Sequence, residues 1–116
     1  MSRPTPKINI GRFEHALKFV DAHTCGEFCR IIYDGFDEPE GKTMMEKKNW
    51  MKNNRDYIRT ALMHEPRGHN DMFGAYIVKP TLPGVDFGVI FMETGGYLNM
   101  CGHCNWFSDC NFRSRV

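Results

Sequence analysis

The sequence predicts an α+β domain in which a sheet carries one long surface helix. Three observations predict it. Four short runs rich in branched and aromatic residues read as strands. The stretch Met44–His64 contains neither Gly nor Pro and repeats its apolar residues at helical spacing. The chain has 116 residues, enough for one domain and not for two.

The elements follow in order. Residues 1–16 read as an irregular N-terminal arm. Leu17–Asp21 is a first strand, with Leu17, Phe19 and Val20 as its apolar residues. Thr24, Gly26 and Glu27 break it. Phe28–Tyr33 is a second strand, and the two can pair through the Thr24–Glu27 turn. Asp34–Gly41 is acidic and turn-rich. Thr43 then stands three residues before Glu46, the spacing of a capping box. The helix that starts there, Met44–His64, places Met51, Ile58, Ala61 and Leu62 on one face. Pro66 and Gly68 end it. Glu65–Asp71 is a polar loop, Met72–Lys79 a strand, and Pro80, Pro83 and Gly84 a second loop. Asp86–Glu93 is the last apolar strand. Asn99–His103 is short and flanked by glycine, a place where a helix begins in a strand-to-helix setting. From Cys104 to Val116 neither period is present.

Composition narrows the function. Apolar residues at 41% and charged residues at 25% match a globular protein, not a disordered tail. The formal charge is +1 with Lys and Arg scattered, so neither nucleic acid nor a membrane surface is an expected partner. No apolar run approaches the ~20 residues that cross a bilayer. The first eleven residues lack the apolar core of a secretory signal. The five cysteines, Cys25, Cys29, Cys101, Cys104 and Cys110, are odd in number. Free thiols in a reducing, cytoplasmic compartment are the expectation.

Cys101 is the first candidate for chemistry. A thiol becomes a base or nucleophile when its pKa falls, and a helix N-terminus lowers it through backbone N–H groups and the dipole. Gly102 beside it lets a substrate approach the backbone. By itself, a Cys-Gly-His triplet is more often structural. A zinc site is the second candidate: Cys25 and Cys29, then Cys101 and Cys104, supply two pairs at zinc-like spacing, with His23 and His103 nearby. Against it, Cys25 and Cys29 lie on or beside a strand, where a small buried side chain is the blander role. A hydrolase would use His23 as base and Cys101 as nucleophile, but nothing in the sequence places them together. Glu65, Arg67, His69 and Asp71 form the densest polar cluster. It reads equally as a solvated loop or as the wall of a polar pocket.

Five segments resemble the proline racemase family, in order and at its spacing. They are Asp21-Ala-His-Thr-Cys-Gly-Glu27, Met45-Glu-Lys-Lys48, Glu65-Pro-Arg-Gly-His-Asn-Asp-Met-Phe-Gly74, Asp86-Phe-Gly-Val-Ile-Phe-Met92 and Gly95-Gly-Tyr-Leu-Asn-Met-Cys-Gly-His103. The resemblance covers roughly Phe19 to His103. It implies a diaminopimelate epimerase-like fold of two similar halves, of which residues 17–103 form part of the first. It implies racemisation or epimerisation of proline or hydroxyproline without pyridoxal phosphate or metal. One cysteine from each half works across a cleft: one thiolate removes the α-proton and the opposite thiol returns one. Inversion requires an acid and a base on opposite faces. Backbone N–H groups at helix N-termini can hold the substrate carboxylate and the developing charge.

Carried over by position, Cys101 matches the first catalytic cysteine. Gly102 and His103 match the residues that meet the substrate carboxylate, and Phe73 an aromatic wall against the proline ring. His23 and Glu27 fall in the opening motif with a structural role. The match stops at His103. The family continues with a Gly-Thr-Ile-Gly-type run that opens a central helix, whereas here Cys104 begins a divergent tail, residues 104–116. The resemblance therefore implies a truncated chain without the central helix, inactive alone, with the sheet face bearing Val89 and Phe91 left open. A homodimer, or pairing with a full-length relative, is the partner it would then use. The zinc module remains the alternative.

Overall fold

The structure is a computed structural model and describes residues 16–98. The expected arm and divergent tail lie outside these residues almost entirely, as do Cys101, Gly102, His103 and Cys104. Seven elements follow in chain order: β1 (Lys18–Thr24), β2 (Glu27–Asp34), α1 (Met44–Asn54), α2 (Asp56–Met63), β3 (Phe73–Val78), β4 (Gly88–Glu93) and β5 (Gly96–Leu98). The strands form one sheet whose spatial order is the chain order. Among the described residues only β2 and β3 are parallel neighbours; the other three pairs are antiparallel. A parallel step needs a crossover, and α1 and α2 supply it.

The β1–β2 hairpin forms as the sequence predicts, with Thr24 opposite Glu27. Cys25 and Gly26 are the two turn residues, at φ 51° and 88°. A two-residue turn that matches the twist of its strands requires both in the left-handed region. Glycine takes that conformation freely, whereas Cys25 is strained there.

The helix starts where the capping box places it. Glu46 N donates to Thr43 Oγ1 at 3.2 Å, and Thr43 N to Glu46 Oε2 at 3.3 Å. It does not run unbroken to His64. The chain leaves helical geometry at Arg55, φ −137° and ψ 27°, and restarts as α2. The cause is local. Asn53 and Asn54 are poor helix formers whose side chains compete for backbone groups, and Asn54 Nδ2 donates to Trp50 O at 2.9 Å. The Arg55 guanidinium donates to Asn54 O at 2.8 Å, grips Asp37 at 2.5 and 2.9 Å, and lies 5.3 Å from the Trp50 ring centre. These contacts anchor Arg55 to the Asp34–Gly41 turn instead of the helix.

Alternation along the strands divides the apolar residues between two faces. One face carries Ile32, Tyr76, Val78, Ile90 and Met92, and packs against Met51, Ile58, Leu62 and Met63 of the helices. The other carries Cys29, Ile31, Ala75 and Phe91, joined by half-buried Phe73, Ile77, Val89 and Leu98. Among the described residues this second cluster draws on strands alone. Its centre is one row across four strands, Ile31, Ala75, Phe91 and Leu98, each in register with the next.

Two expectations are corrected here. The face with Val89 and Phe91 is not open: Phe91 is 8% exposed, and Cys29, Ile31 and Ala75 are fully buried. Ile31, Ala75, Phe91 and Leu98 lie in one cross-strand row, a grouping that a reading of single strands does not register. The sequence assigns no strand to Gly96–Leu98, where the structure has β5. Its three residues are too few to show a period, and it forms because Gly96 and Leu98 pair with Glu93 and Phe91.

Candidate functional site

Of the four residues carried over by family position, Cys101, Gly102, His103 and Phe73, only Phe73 lies among the described residues. It opens β3, opposite Glu93 of β4, and is half-buried on the strand-only face. Leu98 belongs to the same cluster. Because β5 alternates, Tyr97 points to the helix-bearing face and Leu98 to the face of Phe73.

The opening motif is structural. His23 Nδ1 accepts from Gly26 N at 3.1 Å, which closes the hairpin turn. Asp21 receives Arg30, with Nε at 2.7 Å and Nη2 at 3.1 Å. Arg30 is a residue the sequence reading passed over. It is 8% exposed, and its Nη1 donates to Leu62 O at 3.0 Å and Arg67 O at 2.9 Å. Its guanidinium lies over the Phe19 ring at 4.5 Å. One side chain therefore joins β1, β2, the end of α2 and the loop before β3. The signal was available: once Thr24 faces Glu27, antiparallel register puts Asp21 opposite Arg30. Lys47 of the second motif is also buried, paired with Glu38 at 3.1 Å and donating to Lys79 O at 2.9 Å. It ties α1 to the end of β3.

The polar loop proves to be partly a wall. Gly68 N donates to His64 O at 2.8 Å, folding the loop back on α2. A side chain at Gly68 would meet the Met63 carbonyl oxygen at 2.1 Å, so only glycine fits there. Glu65 and His69, with His64, Asn70 and Thr94, line a surface pocket of about 430 Å³. Arg67 and Asp71 stay exposed outside it.

A buried polar cluster sits where α2 meets the β4–β5 turn. Arg59 Nε and Nη2 hold Asp56 at 2.8 and 3.0 Å. The Arg59 hydrogen bond holds the Asp56 carboxyl below the usual carboxylate range, and Asp56 in turn raises Arg59. The hydroxyls of Tyr76 and Tyr97 are buried nearby, and neither makes a well-formed hydrogen bond. Burial, reinforced by the negative charge of Asp56, pushes Tyr97 up to about 12. Burial raises Tyr76 further still.

The zinc reading fails on the cysteines in view. Cys25 is an exposed free thiol at the turn tip. Cys29 is fully buried within β2 and disulfide-bonded. A disulfide sulfur is not the thiolate that zinc binds, and the expectation of free thiols is corrected at this position. Among the described residues no group of three or more His, Cys, Asp or Glu could hold a metal ion. No helix among them is long and apolar enough to cross a membrane.

Comparison with known proteins places this architecture. The family model described as proline racemase matches residues 19–106. The chain belongs to the proline racemase family. The proline racemase of Clostridioides difficile is 52% identical over 92 residues, covering 79% of this chain and 28% of that relative. Proline racemase A of Trypanosoma cruzi is 50% identical over 97 residues, 84% of this chain and 23% of the relative. Trans-3-hydroxy-L-proline dehydratase of Azospirillum brasilense is 46% identical over 92 residues, 79% of this chain and 28% of the relative. The chain thus spans about a quarter of the length of these relatives. Among solved structures, a hydroxyproline epimerase from Agrobacterium vitis with bound trans-4-OH-L-proline superposes with a TM-score of 0.76 at 17% identity, covering 89% of this chain and 31% of that one. The fold is that of these enzymes, the diaminopimelate epimerase-like α+β fold. Membership of the proline racemase family accounts for why Asp21, Lys47 and Gly68 fall within the recognisable segments: Asp21 holds buried Arg30, Lys47 is buried between α1 and β3, and Gly68 lies against the Met63 backbone.

Proposed function

We propose that this chain carries one half of a cofactor-independent proline racemase site, with Cys101 as the proton-transferring thiol. Gly102 and His103 would receive the substrate carboxylate, and Phe73 would wall the pyrrolidine ring. One observation carries the reading: Phe73 and Leu98 share the strand-only face, and Cys101 follows Leu98 by three residues. Three residues reach at most ~11 Å, which bounds how far along the chain Cys101 can stand from the Leu98 backbone.

The chemistry follows from the substrate. The α-hydrogen of an amino acid is a weak acid, so its removal needs a thiolate and electrostatic support for the developing carbanion. A half-buried aromatic ring suits an apolar pyrrolidine, which favours proline over hydroxyproline. Inversion requires a second thiol on the opposite face of the α-carbon, and the half-site supplies one face only. The dehydratase names among the relatives leave the substrate class as cyclic imino acids and their hydroxylated forms.

Deuterium exchange tests the proposal. In D₂O the chain is expected to place deuterium at the α-carbon of L-proline slowly and with retention, because a single base returns the proton to the face it left. Cys101→Ser should abolish the exchange. Exchange that survives this substitution contradicts the role of Cys101. Inversion by the chain alone contradicts the need for a second thiol.

A further inference from the structure

Resting on the half-site reading above, we infer that Arg59 is a positioning residue that fixes the β4–β5 turn, from which the Phe73 wall and the strand leading to Cys101 take their places. Arg59 is 9% exposed. Asp56 holds its Nε and Nη2, which leaves Nη1 aimed at the turn. Nη1 donates to Glu93 O at 3.3 Å and to Thr94 O. The same Thr94 carbonyl accepts from His64 Nε2 at 2.7 Å, and the Thr94 hydroxyl donates to Asn70 O at 3.3 Å. One turn residue is thus tied once to α2, once to its C-cap His64 and once to the loop that enters β3.

Register turns these ties into a coupling. Glu93 pairs with Phe73 on one side and with Gly96 on the other. Tyr97 follows, packed on the helix-bearing face near Asp56, and then Leu98, packed on the face of Phe73. The half-site's aromatic wall and the strand that leads to Cys101 therefore take their positions from one anchored turn. A carboxylate-held guanidinium is a rigid fork, so its remaining N–H has a fixed direction. Lysine at this position would keep the charge and lose the fork.

The test compares Arg59→Gln and Arg59→Lys with Lys47→Gln. The last also removes a buried ion pair, but one that ties α1 to the end of β3, away from the turn. Two readouts are taken: amide exchange in peptides covering 69–76 and 93–98, and protection of Cys101 from iodoacetamide by L-proline. At equal distance below each variant's melting temperature, Arg59→Gln should speed exchange in both peptides about tenfold. It should weaken L-proline protection about fivefold. Arg59→Lys should fall between wild type and Arg59→Gln, and it carries the test if Arg59→Gln does not fold. Lys47→Gln should change neither readout. Equal effects from Lys47→Gln, or faster exchange in 93–98 alone, would overturn the inference. If L-proline never protects wild-type Cys101, the half-site reading fails instead, and the exchange data alone decide whether Arg59 couples the two segments.

Discussion

The two faces of the sheet differ in what completes them. On the helix-bearing face, Ile32, Tyr76 and Ile90 meet Met51, Ile58, Leu62 and Met63, and the polar groups at the margins are answered by Arg30, Lys47 and Arg59. On the opposite face the described apolar residues all come from strands, and Phe73, Ile77, Val89 and Leu98 are only half-buried. The first face is a finished core. The second is buried at its centre, at Cys29, Ile31 and Ala75, and half-buried at its margins, where Phe73 lies. The difference teaches where the two kinds of recognisable residue lie: the scaffold anchors sit at the helices, whereas Phe73, the described residue of the proposed site, sits across the sheet from them.

Substitutions on the two faces test this contrast most strongly. Met63→Ala, in the finished core, should cost about 2–5 kcal/mol in urea denaturation. Val89→Ala, half-buried on the other face, should cost under about 1 kcal/mol, since less apolar area leaves water. Equal losses would break the contrast. Arg30→Met comes next, at about 2–4 kcal/mol, because it strands two backbone acceptors while Asp21 can rehydrate in part.

Alkaline pH sharpens the account of the helix-bearing face. Tyr97 is raised from 10.0 to about 12, so its contribution to stability is fully present below pH 10, where the unfolded phenol is still protonated. That contribution is lost as pH rises from 10 through about 12. Tyr97→Phe removes a buried hydroxyl with no well-formed hydrogen bond. It should leave stability at neutral pH nearly unchanged and move the alkaline unfolding midpoint upward. The smallest effect is expected at the hairpin: Cys25→Asn should raise stability by a few tenths of a kcal/mol, since Asn tolerates the left-handed conformation better.

Much of this was legible in the residues. The hairpin followed from the Thr24–Glu27 turn between two apolar runs, and the helix start from Thr43 and Glu46. What stayed hidden was tertiary. The break at Arg55 depends on Asp37, eighteen residues away. β5 depends on a partner strand because three residues carry no period. The buried roles of Arg30, Lys47 and Arg59 contradict their hydrophilic character, and only the carbonyls and carboxylates brought to them explain it. Phe73 was found through family resemblance; its own pattern marks it only as the start of a strand.

The central claim is that the strand-only face carries a half-site served by Cys101, and mass-mapped alkylation with iodoacetamide tests it most directly. The account predicts that Cys101 reacts as an activated thiol and is shielded by L-proline, and that Phe73→Ala removes the shielding while exposed Cys25 reacts alike throughout. A Cys101 that stays inert in the folded chain, or reacts at one rate with and without L-proline, would contradict it.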